Sequence, residues 1–319
     1  MSKIIAVTGA TGSQGGGVAN VMNKTPGWKV RAITRNVESE AAKKLAAEGI
    51  EVVSASFDDE SSLVAAFEGV SAVFAVTNWW EHLFSGKTQE ESGLLEEEQG
   101  MKLARAAAQA ETLEHYIWSS CPGTKKLLHG EISVPHMDYK AKVDERIKNE
   151  LPELAKKTTY LFFGYYPQNF LSFPLVKPIE YPGTGYHVQI LPTDPDAKVL
   201  LSGDMKVNPG IWVRQALLSA PKSFGRYANV ALEKWTFRQM MDVWSEVTGK
   251  RGHVIQCKPE DWAKVWGPAG RELALQFRFG EKCDPWVETD EHISPEELGI
   301  DRSEVVGFKG TIEGIKHFF

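Results

Sequence analysis

The sequence predicts an α/β fold, in which a Rossmann-type, doubly wound parallel sheet is joined to a smaller, mixed α+β lobe in the C-terminal part of the chain. Short apolar runs rich in β-branched residues alternate with helical stretches five times within residues 1–123. Such alternation is typical of parallel strands joined by crossover helices. Between residues 174 and 204, prolines and glycines are frequent and helical periodicity is absent, which indicates short strands outside the main sheet.

Each predicted element has its own signal in the sequence. The strands are apolar runs, and the helices begin or end near glycine, proline or charged residues. We predict main-sheet strands at 3–7, 28–33, 50–55, 72–76, 115–119, 156–163 and 226–232, and helices at 16–24, 38–48, 61–67, 90–110, 207–220 and 236–248.

The length of 319 residues suits a main domain with a smaller lobe. We expect residues 1–169 to form the nucleotide-binding domain, with residues 205–232 returning to it. Residues 170–204 and 233–319 would then form the lobe that contacts a substrate or a partner.

A glycine-rich turn follows the first predicted strand and precedes the first predicted helix. Its spacing is Gly9-x-x-Gly12-x-x-Gly15. In a dinucleotide site one glycine permits the turn, one lets the backbone approach a pyrophosphate, and one lets the helix pack on the strand. The free N–H groups at the helix N-terminus then face the phosphates. We therefore assign the following residues to cofactor binding: Gly9, Thr11, Gly12, Ser13, Gln14 and Gly15.

The residue at the end of the second strand decides the cofactor preference, because it lies beside the adenosine ribose. An acidic side chain there would accept a hydrogen bond from a free 2′-hydroxyl, whereas Arg35 is a cation placed to meet a 2′-phosphate. The sequence therefore predicts NADP(H) as the cofactor.

Polar and aromatic residues follow the third and fourth strands. Asp58 either accepts a hydrogen bond from the adenine amino group or caps the helix at 61–67. Because open α/β sheets bind ligands beyond their strand C-termini, Thr77 and Asn78 should border the nicotinamide. Trp79 and Trp80 are predicted to lie in a loop, and at least one of them should line a substrate pocket or a partner surface.

The long helix at 90–110 carries an acidic run, Glu96-Glu97-Glu98. We interpret this run as a solvated face, because charged side chains on a helix are most simply exposed to water.

Composition excludes some classes of function. A formal net charge of −6 argues against direct nucleic-acid binding, which needs a concentrated basic surface. The three cysteines, Cys121, Cys257 and Cys283, are far apart and lack metal-ligand spacing, so we predict no metal site and a reducing compartment. The chain enters a strand within three residues and has no apolar run long enough to span a bilayer. We expect a cytoplasmic protein, with the nucleus as an open alternative.

The sequence resembles the NmrA-like family, atypical members of the short-chain dehydrogenase/reductase superfamily related to isoflavone-reductase-like proteins. The resemblance rests on 7–15, Arg35, the segment 134–143 and the segment 165–169, with sequences VTGATGSQG, R, VPHMDYKAKV and YYPQN. It implies an NADP(H)-binding Rossmann fold. It also implies that the turn carrying Tyr166 and Asn169 roofs the cofactor and begins the substrate lobe, with Tyr165 beside the pocket.

Hydride-transferring members of that superfamily usually have a Tyr-x-x-x-Lys pair on the helix after the fifth strand. That spacing puts both side chains on one helical face. Here Lys140 is present, but His136 occupies the tyrosine position. Three alternatives stay open: His136 acts as the acid or base, Lys140 acts alone, or the site binds cofactor without turnover. Ser119 and Ser120 end the fifth strand and are candidates to hydrogen-bond the nicotinamide and a substrate oxygen.

These observations predict an NADP(H)-dependent reductase that transfers hydride to a small, largely apolar organic molecule. Lys140 would orient the nicotinamide ribose and assist protonation. The alternative is a non-catalytic redox sensor that binds NADP(H) and regulates a transcription factor or another protein partner.

Overall fold

The computed structural model describes residues 2–283 and 289–319, so residues 284–288 of the predicted lobe lie outside the described residues. The strands are β1 Lys3–Val7, β2 Trp28–Thr34, β3 Glu51–Ser54, β4 Ala72–Ala75, β5 His115–Ser120, β6 Thr158–Phe163, β7 Ile179–Tyr181, β8 Tyr186–Leu191, β9 Lys198–Leu201, β10 Tyr227–Val230, β11 Glu233–Thr236 and β12 Arg251–Gln256. The helices of the first half are α1 Ser13–Met22, α2 Glu40–Ala47, α3 Glu60–Ala66, α4 Trp79–Phe84, α5 Gln89–Gln109, α6 Thr124–Leu127, α7 Pro135–Glu150 and α8 Pro152–Ala155. Those of the second half are α9 Asn169–Ser172, α10 Asn208–Leu218, α11 Phe237–Thr248, α12 Pro259–Lys282, α13 Pro295–Leu298 and α14 Phe308–Ile315, followed by a 3-10 turn at Lys316–Phe318.

The main sheet has seven parallel strands in the order β10-β6-β5-β4-β1-β2-β3. Strands β4, β5 and β6 are buried along their whole length, because helices cover both faces of the sheet. The strand order reverses direction between β1 and β4. This arrangement confirms the predicted α/β fold class, and it places the carboxyl ends of β1 and β4 beside each other at the switch point of the sheet.

Helices α1 and α10 pack together with almost no side chain between their backbones. A Cβ atom built on Gly17 would lie 2.1 Å from the Met205 carbonyl oxygen, and one built on Gly210 would lie 2.5 Å from the Gly17 carbonyl oxygen. Real Cβ contacts are never this short, so both positions require glycine. The close approach fixes α1, whose N-terminus faces the carboxyl ends of the strands.

The smaller lobe contains an antiparallel pair, β9 with β11, and a three-stranded sheet in the order β12-β8-β7. Its core is strongly aromatic, with Phe170, Phe237, Trp244 and Phe308 each at most 1% exposed. Helix α12 is interrupted at Gly267, which has φ 59° and ψ −138° and precedes Pro268. The lobe therefore matches the predicted mixed α+β character.

The structure corrects the predicted loop at Trp79 and Trp80 and excludes one of the two alternatives for Asp58. Trp79 and Trp80 lie in the first turn of α4 and not in a loop, because the stretch 79–84 has helical hydrogen bonding directly after Asn78. The cap of α3 is Asp59 and not Asp58. The Asp59 carboxylate accepts hydrogen bonds from the N–H groups of Ser61 at 3.1 Å and Ser62 at 3.4 Å, because it is the residue that directly precedes the helix.

Within the described ranges, no helix combines the length and the apolar character that a membrane span requires. The same residues contain no group of three histidine, cysteine, aspartate or glutamate side chains arranged to hold a metal ion.

Candidate functional site

A cavity of about 610 Å³ opens beyond the carboxyl ends of the main-sheet strands and extends under the smaller lobe. Its size is that of a cofactor or ligand site. The structure places every residue predicted for the site in its wall, although their individual roles stay predictions. These residues are Gly9, Thr11, Gly12, Ser13, Gln14, Gly15, Arg35, Asp58, Thr77, Asn78, Trp79, Trp80, Ser119, Ser120, His136, Lys140, Tyr165, Tyr166 and Asn169.

The glycine turn forms one wall of the cavity. Gly9 has φ +60°, and Gly12 is the N-terminal cap of α1. A Cβ atom on Gly15 would lie 2.4 Å from the carbonyl oxygens of Thr8 and Gly9, so the helix can approach the strand only with glycine there. The first N–H groups of a helix have no partner within the helix. At α1 they lie at the cavity, where they offer hydrogen-bond donors to an anion.

Gln14 connects the glycine turn to the segment that follows β6. Its side-chain Nε2 donates a hydrogen bond to the Tyr166 hydroxyl at 2.7 Å. Burial raises the pKa of the Tyr166 phenol well above its usual value, so the hydroxyl stays protonated. Tyr166 therefore helps to hold the segment after β6 against the glycine turn.

Arg35 lies at the mouth of the cavity, and its side chain is 66% exposed. Its guanidinium forms a bidentate ion pair with Glu81 of α4. Nη1 contacts Oε1, and Nη2 lies 3.1 Å from Oε2. This hydrogen bonding raises the pKa of Arg35 above its usual value. Glu81 already occupies the guanidinium of Arg35, so a phosphate that binds Arg35 would have to compete with the Glu81 carboxylate.

Asp58 lies on the same side of the cavity as Arg35. Its Oδ1 accepts a hydrogen bond from Gln99 Nε2 at 2.9 Å, and its backbone oxygen accepts one from Lys102 Nζ at 2.8 Å. The Asp58 carboxylate is therefore fixed in the cavity wall by α5. Since Asp58 does not cap α3, the contact to an adenine is the prediction that stays for this residue.

Lys140 is buried and surrounded by hydrogen-bond acceptors. Its Nζ lies 2.8 Å from the Thr77 hydroxyl, 3.3 Å from the Thr77 carbonyl oxygen and 2.9 Å from Glu96 Oε1. The Thr77 hydroxyl also donates to Glu96 Oε1 at 2.9 Å. The two contacts to Thr77 are hydrogen bonds, and the contact to Glu96 is an ion pair.

Glu96 corrects the interpretation of the acidic run as a solvated face. The side chain of Glu96 is fully buried, that of Glu97 is 16% exposed, and only Glu98, at 47%, is substantially exposed. A buried carboxylate needs a charged partner. Lys140 is that partner, and it comes from another helix, which is why the local sequence pattern did not reveal it.

His136 is paired with a second buried carboxylate, Glu272 of α12. The Glu272 side chain has no exposed area. Its Oε1 accepts a hydrogen bond from the His136 backbone N–H at 2.8 Å and lies 2.7 Å from His136 Nδ1. Gln89 donates to the other oxygen, Oε2. Sequence reasoning missed Glu272, because it lies 136 residues from its partner and no motif surrounds it.

Ser119 and Ser120 end β5 as predicted, and both are nearly inaccessible. The Ser120 hydroxyl donates to the carboxyl group of Asp144, with both oxygens 2.7 Å away. Burial raises the pKa of Asp144 from 3.8 to about 8. The Ser120 hydroxyl is therefore already hydrogen-bonded to Asp144, although the residue lines the cavity.

The end of the cavity under the smaller lobe is mostly apolar. Trp79 is 1% exposed, and Trp80 is partly buried against Phe173 in an edge-to-face contact at 5.7 Å. Tyr165 makes similar contacts with Phe170 and Phe237. Other apolar lining residues are Phe84, Val176, Leu273 and Phe277. Such a lining suits an apolar ligand with few polar groups.

The sheet order, the glycine turn and the cavity at the switch point define a Rossmann-type α/β protein with a smaller lobe over the site. More specifically, the chain belongs to the NmrA-like family, whose sequence profile matches residues 1–302.

Curated relatives are named as oxidoreductases of this family. The NmrA-like family domain-containing oxidoreductase notA of Aspergillus sp. (strain MF297-2) is 30% identical over 297 residues, which cover 87% of this chain and 83% of that protein. The NmrA-like family domain-containing oxidoreductase hkm9 of Aspergillus hancockii is 36% identical over 170 residues. That second match spans 53% of this chain and about half, 48%, of the relative.

Solved structures share the fold. NmrA, a negative transcriptional regulator solved in complex with NADP, superposes with a TM-score of 0.78 at 24% identity, covering 99% of this chain and 96% of NmrA. The triphenylmethane reductase of Citrobacter sp., solved in complex with NADP(H), superposes with a TM-score of 0.70 at 22% identity, covering 98% of this chain and 99% of the reductase. At these identities the similarity shows the fold alone.

Proposed function

We propose that this chain is an NADP(H)-dependent oxidoreductase that reduces a small, largely apolar organic molecule by hydride transfer. The observation that carries the proposal is a single cavity that joins a set of anion-binding groups at one end to an aromatic pocket at the other. Relatives named as oxidoreductases and fold neighbours bound to NADP(H) support it. In this proposal the lobe formed by 170–204 and 233–319 closes the substrate end.

The residues at the first end fit the chemistry of NADP(H). The N-terminus of α1 presents backbone N–H groups, and the hydroxyls of Thr11 and Ser13 belong to the same wall. These donors suit a pyrophosphate. Arg35 adds a cation for the 2′-phosphate, and Asp58 adds an acceptor for the adenine amino group. The bound nicotinamide would supply or accept the hydride.

Lys140 has an orienting role in this proposal. Because Glu96 and Thr77 hold its ammonium group, the lysine is fixed at the cavity wall where it can direct a ribose hydroxyl. Asn78 and Ser119 border the same space and would contact the nicotinamide. Tyr166 and Asn169 close the roof above it.

The proposal is tested by calorimetric titration of the purified protein with NADPH, NADP+, NADH and NAD+. We expect tight binding of the two phosphorylated forms and weak binding of the other two. Arg35→Asp should lower the affinity for NADPH by about 100-fold, since it replaces a charge-assisted contact with a repulsive one. Arg302→Asp is the matched control, because Arg302 is also an exposed, ion-paired arginine but lies outside the cavity.

The outcomes separate cofactor choice from turnover. Unchanged NADPH affinity in Arg35→Asp would contradict the assignment of the 2′-phosphate. Loss of NADPH absorbance on addition of aromatic carbonyl compounds would support the reductase. NADPH binding without any such loss would contradict it.

A second candidate function is a non-catalytic sensor of NADP(H) that regulates a protein partner. The observation that favours it is the binding of the Lys140 ammonium group by Glu96 and Thr77, which engages the lysine with groups of the protein itself. A sensor would bind nucleotide without consuming it, and a partner would be recovered with the protein only when the preferred nucleotide is present. In either case we expect the protein to function in the cytoplasm, with the nucleus as the alternative.

A further inference from the structure

We propose that His136 and Glu272 form the proton-donating pair of this site, with Glu272 as the residue that positions His136, and that the substrate is a neutral aromatic carbonyl compound. This inference rests on the proposed reductase function and adds to it the source of the proton and the substrate class.

Glu272 fixes the orientation of the His136 ring. One carboxylate oxygen is held between the His136 backbone N–H, at 2.8 Å, and the ring nitrogen Nδ1, at 2.7 Å. Gln89 holds the other oxygen. A carboxylate accepts hydrogen bonds and donates none, so the carboxylate form of Glu272 pairs with the ring form that carries a proton on Nδ1. The ring is therefore anchored at Nδ1, and Nε2 is the nitrogen left for chemistry.

Nε2 of His136 has no hydrogen-bond partner among residues 2–283 and 289–319, while the side chain lines the cavity. The rings of Trp79 and Trp80 lie 5.8 Å and 5.4 Å from the imidazole and limit its movement. The Glu272 carboxylate lies beside the ring, where it would be the counter-charge of an imidazolium, the form that carries a proton on each nitrogen. Lys140 donates hydrogen bonds to Thr77 and is ion-paired with Glu96, so it could give up a proton only by losing the charge that pairs with Glu96.

The step balances as follows. A bound NADPH would supply the hydride that forms the new C–H bond at the carbonyl carbon, and would be oxidised to NADP+. The electron pair of the C=O π bond takes the proton from His136 Nε2, which forms the O–H bond of the alcohol. The imidazole is left neutral, with its remaining proton on Nδ1 facing Glu272. A proton from water restores the imidazolium in the next cycle.

The walls around His136 indicate the substrate class. The lining of this end is mostly aromatic or aliphatic, and its polar members other than His136, Ser172 and Gln276, are uncharged. The apolar members are Trp79, Trp80, Phe84, Phe173, Val176, Leu273 and Phe277. The charged lining residues Arg35, Asp58 and Glu81 lie at the adenosine end, and the Lys140 charge is already paired with Glu96. Flat aromatic rings pack well on tryptophan and phenylalanine faces. A neutral aromatic molecule with one carbonyl group meets these conditions.

The test compares two hydride acceptors that differ in their need for a proton. Reduction of 2-naphthaldehyde needs a hydride and a proton, whereas reduction of the cationic dye crystal violet needs the hydride alone. We expect His136→Asn to lower kcat for 2-naphthaldehyde by about 100-fold or more. We expect the rate with crystal violet and the affinity for NADPH to change by less than about threefold in the same variant.

Glu272→Gln should lower kcat for 2-naphthaldehyde while leaving KM nearly unchanged, because Glu272 acts through His136 and does not touch the substrate. The matched control is Glu281→Gln on the same helix. Glu281 also accepts hydrogen bonds, from Thr193 and the Asp194 N–H, but lies outside the cavity, so its substitution should leave kcat unchanged.

Nitrogen-15 NMR of the imidazole groups provides a readout that needs no substrate. We expect the His136 signals, assigned by their loss in His136→Asn, to show a proton fixed on Nδ1, and this pattern to disappear in Glu272→Gln. Equal rate losses with the two acceptors, or an unchanged tautomer pattern in Glu272→Gln, would overturn the inference. NADPH binding with no consumption of either acceptor would instead contradict the proposed reductase, while the NMR result would still decide whether Glu272 positions His136.

Discussion

His136 and Lys140 lie one turn apart on the same face of α7, and each is paired with a fully buried glutamate. The two pairs nevertheless differ in whether a nitrogen atom of the basic residue stays available to a ligand in the cavity. The Lys140 ammonium group donates two hydrogen bonds to Thr77 and is ion-paired with Glu96, whereas His136 uses one ring nitrogen for Glu272 and keeps the other at the cavity. A cation held by these contacts keeps its position, and an imidazole with one nitrogen at the cavity can exchange a proton.

The two carboxylates also come from different parts of the chain. Glu96 lies on α5, which packs against α7 beside the main sheet, while Glu272 lies on α12 in the second half of the chain. The lysine pair is therefore internal to the sheet-and-helix body, and the histidine pair joins that body to the lobe. We expect the first pair to affect mainly stability and the second mainly chemistry.

The largest effect on stability is expected from breaking the ion pair of Lys140 with Glu96. Glu96→Gln leaves the Lys140 charge buried without a counter-charge, which should reduce the free energy of unfolding by about 4 kcal/mol. Chemical denaturation monitored by circular dichroism measures it. Glu98→Gln is the control in the same acidic run. Its side chain is about half exposed, so its ion pair should contribute less than about 1 kcal/mol. Similar losses in the two variants would remove the distinction between the buried and the solvated members of the run.

Asp144 is a third buried carboxyl group, and it sharpens the comparison. It is hydrogen-bonded to the Ser120 hydroxyl, whereas Glu96 and Glu272 are paired with the basic residues Lys140 and His136. Burial raises its pKa from 3.8 to about 8. Between these values the folded protein keeps the proton and the unfolded chain loses it, so stability falls as the pH rises and levels off above about 8.

Asp144→Asn should remove that dependence, because asparagine has a similar shape and no charge to desolvate. Relative to the wild type, the variant should gain at most about 2.7 kcal/mol in the free energy of unfolding between pH 6 and pH 8. Urea denaturation of both proteins at pH 6, 7, 8 and 9 gives the difference. A difference that stays constant across this range would show that Asp144 is ionised in the folded protein already at pH 6.

The smallest effect concerns the exposed pair of Arg35 with Glu81, which contrasts with both buried pairs. If Arg35 receives a 2′-phosphate, Glu81 competes with it for the guanidinium and repels the phosphate. Glu81→Gln should therefore tighten NADPH binding by about fivefold, close to 1 kcal/mol, since exposed ion pairs are weak. Calorimetry at low and high salt should show the gain shrinking with ionic strength. An equal gain for NADH would contradict a contact to the 2′-phosphate.

Sequence patterns predicted the features whose signals are local. The alternation of strands and helices predicted the parallel sheet, and the glycine turn predicted the residues that now line one cavity wall. Gly15 illustrates why this was possible, because the need for glycine arises from carbonyl oxygens only a few residues away. Lys140 and His136 were located by their spacing on one helix.

The features that sequence patterns missed depend on contacts between distant segments. Glu96 was interpreted as solvated, because nothing in the acidic run indicates that Lys140 packs against it. Glu272 has no motif, and its partner is 136 residues away. Asp58 and Asp59 are adjacent, and only backbone geometry shows which of them caps α3.

The position of Glu272 in the C-terminal lobe has a consequence for the order in which the molecule becomes complete during synthesis. Domains generally fold from the N-terminal side as the chain emerges from the ribosome. A nascent chain that has reached the end of α7 already contains the glycine turn, Arg35, Glu96 and Lys140, whereas Glu272 is not yet translated. The parts proposed to hold the nucleotide are thus made early, and the carboxylate that orients His136 is among the last parts of the site to arrive.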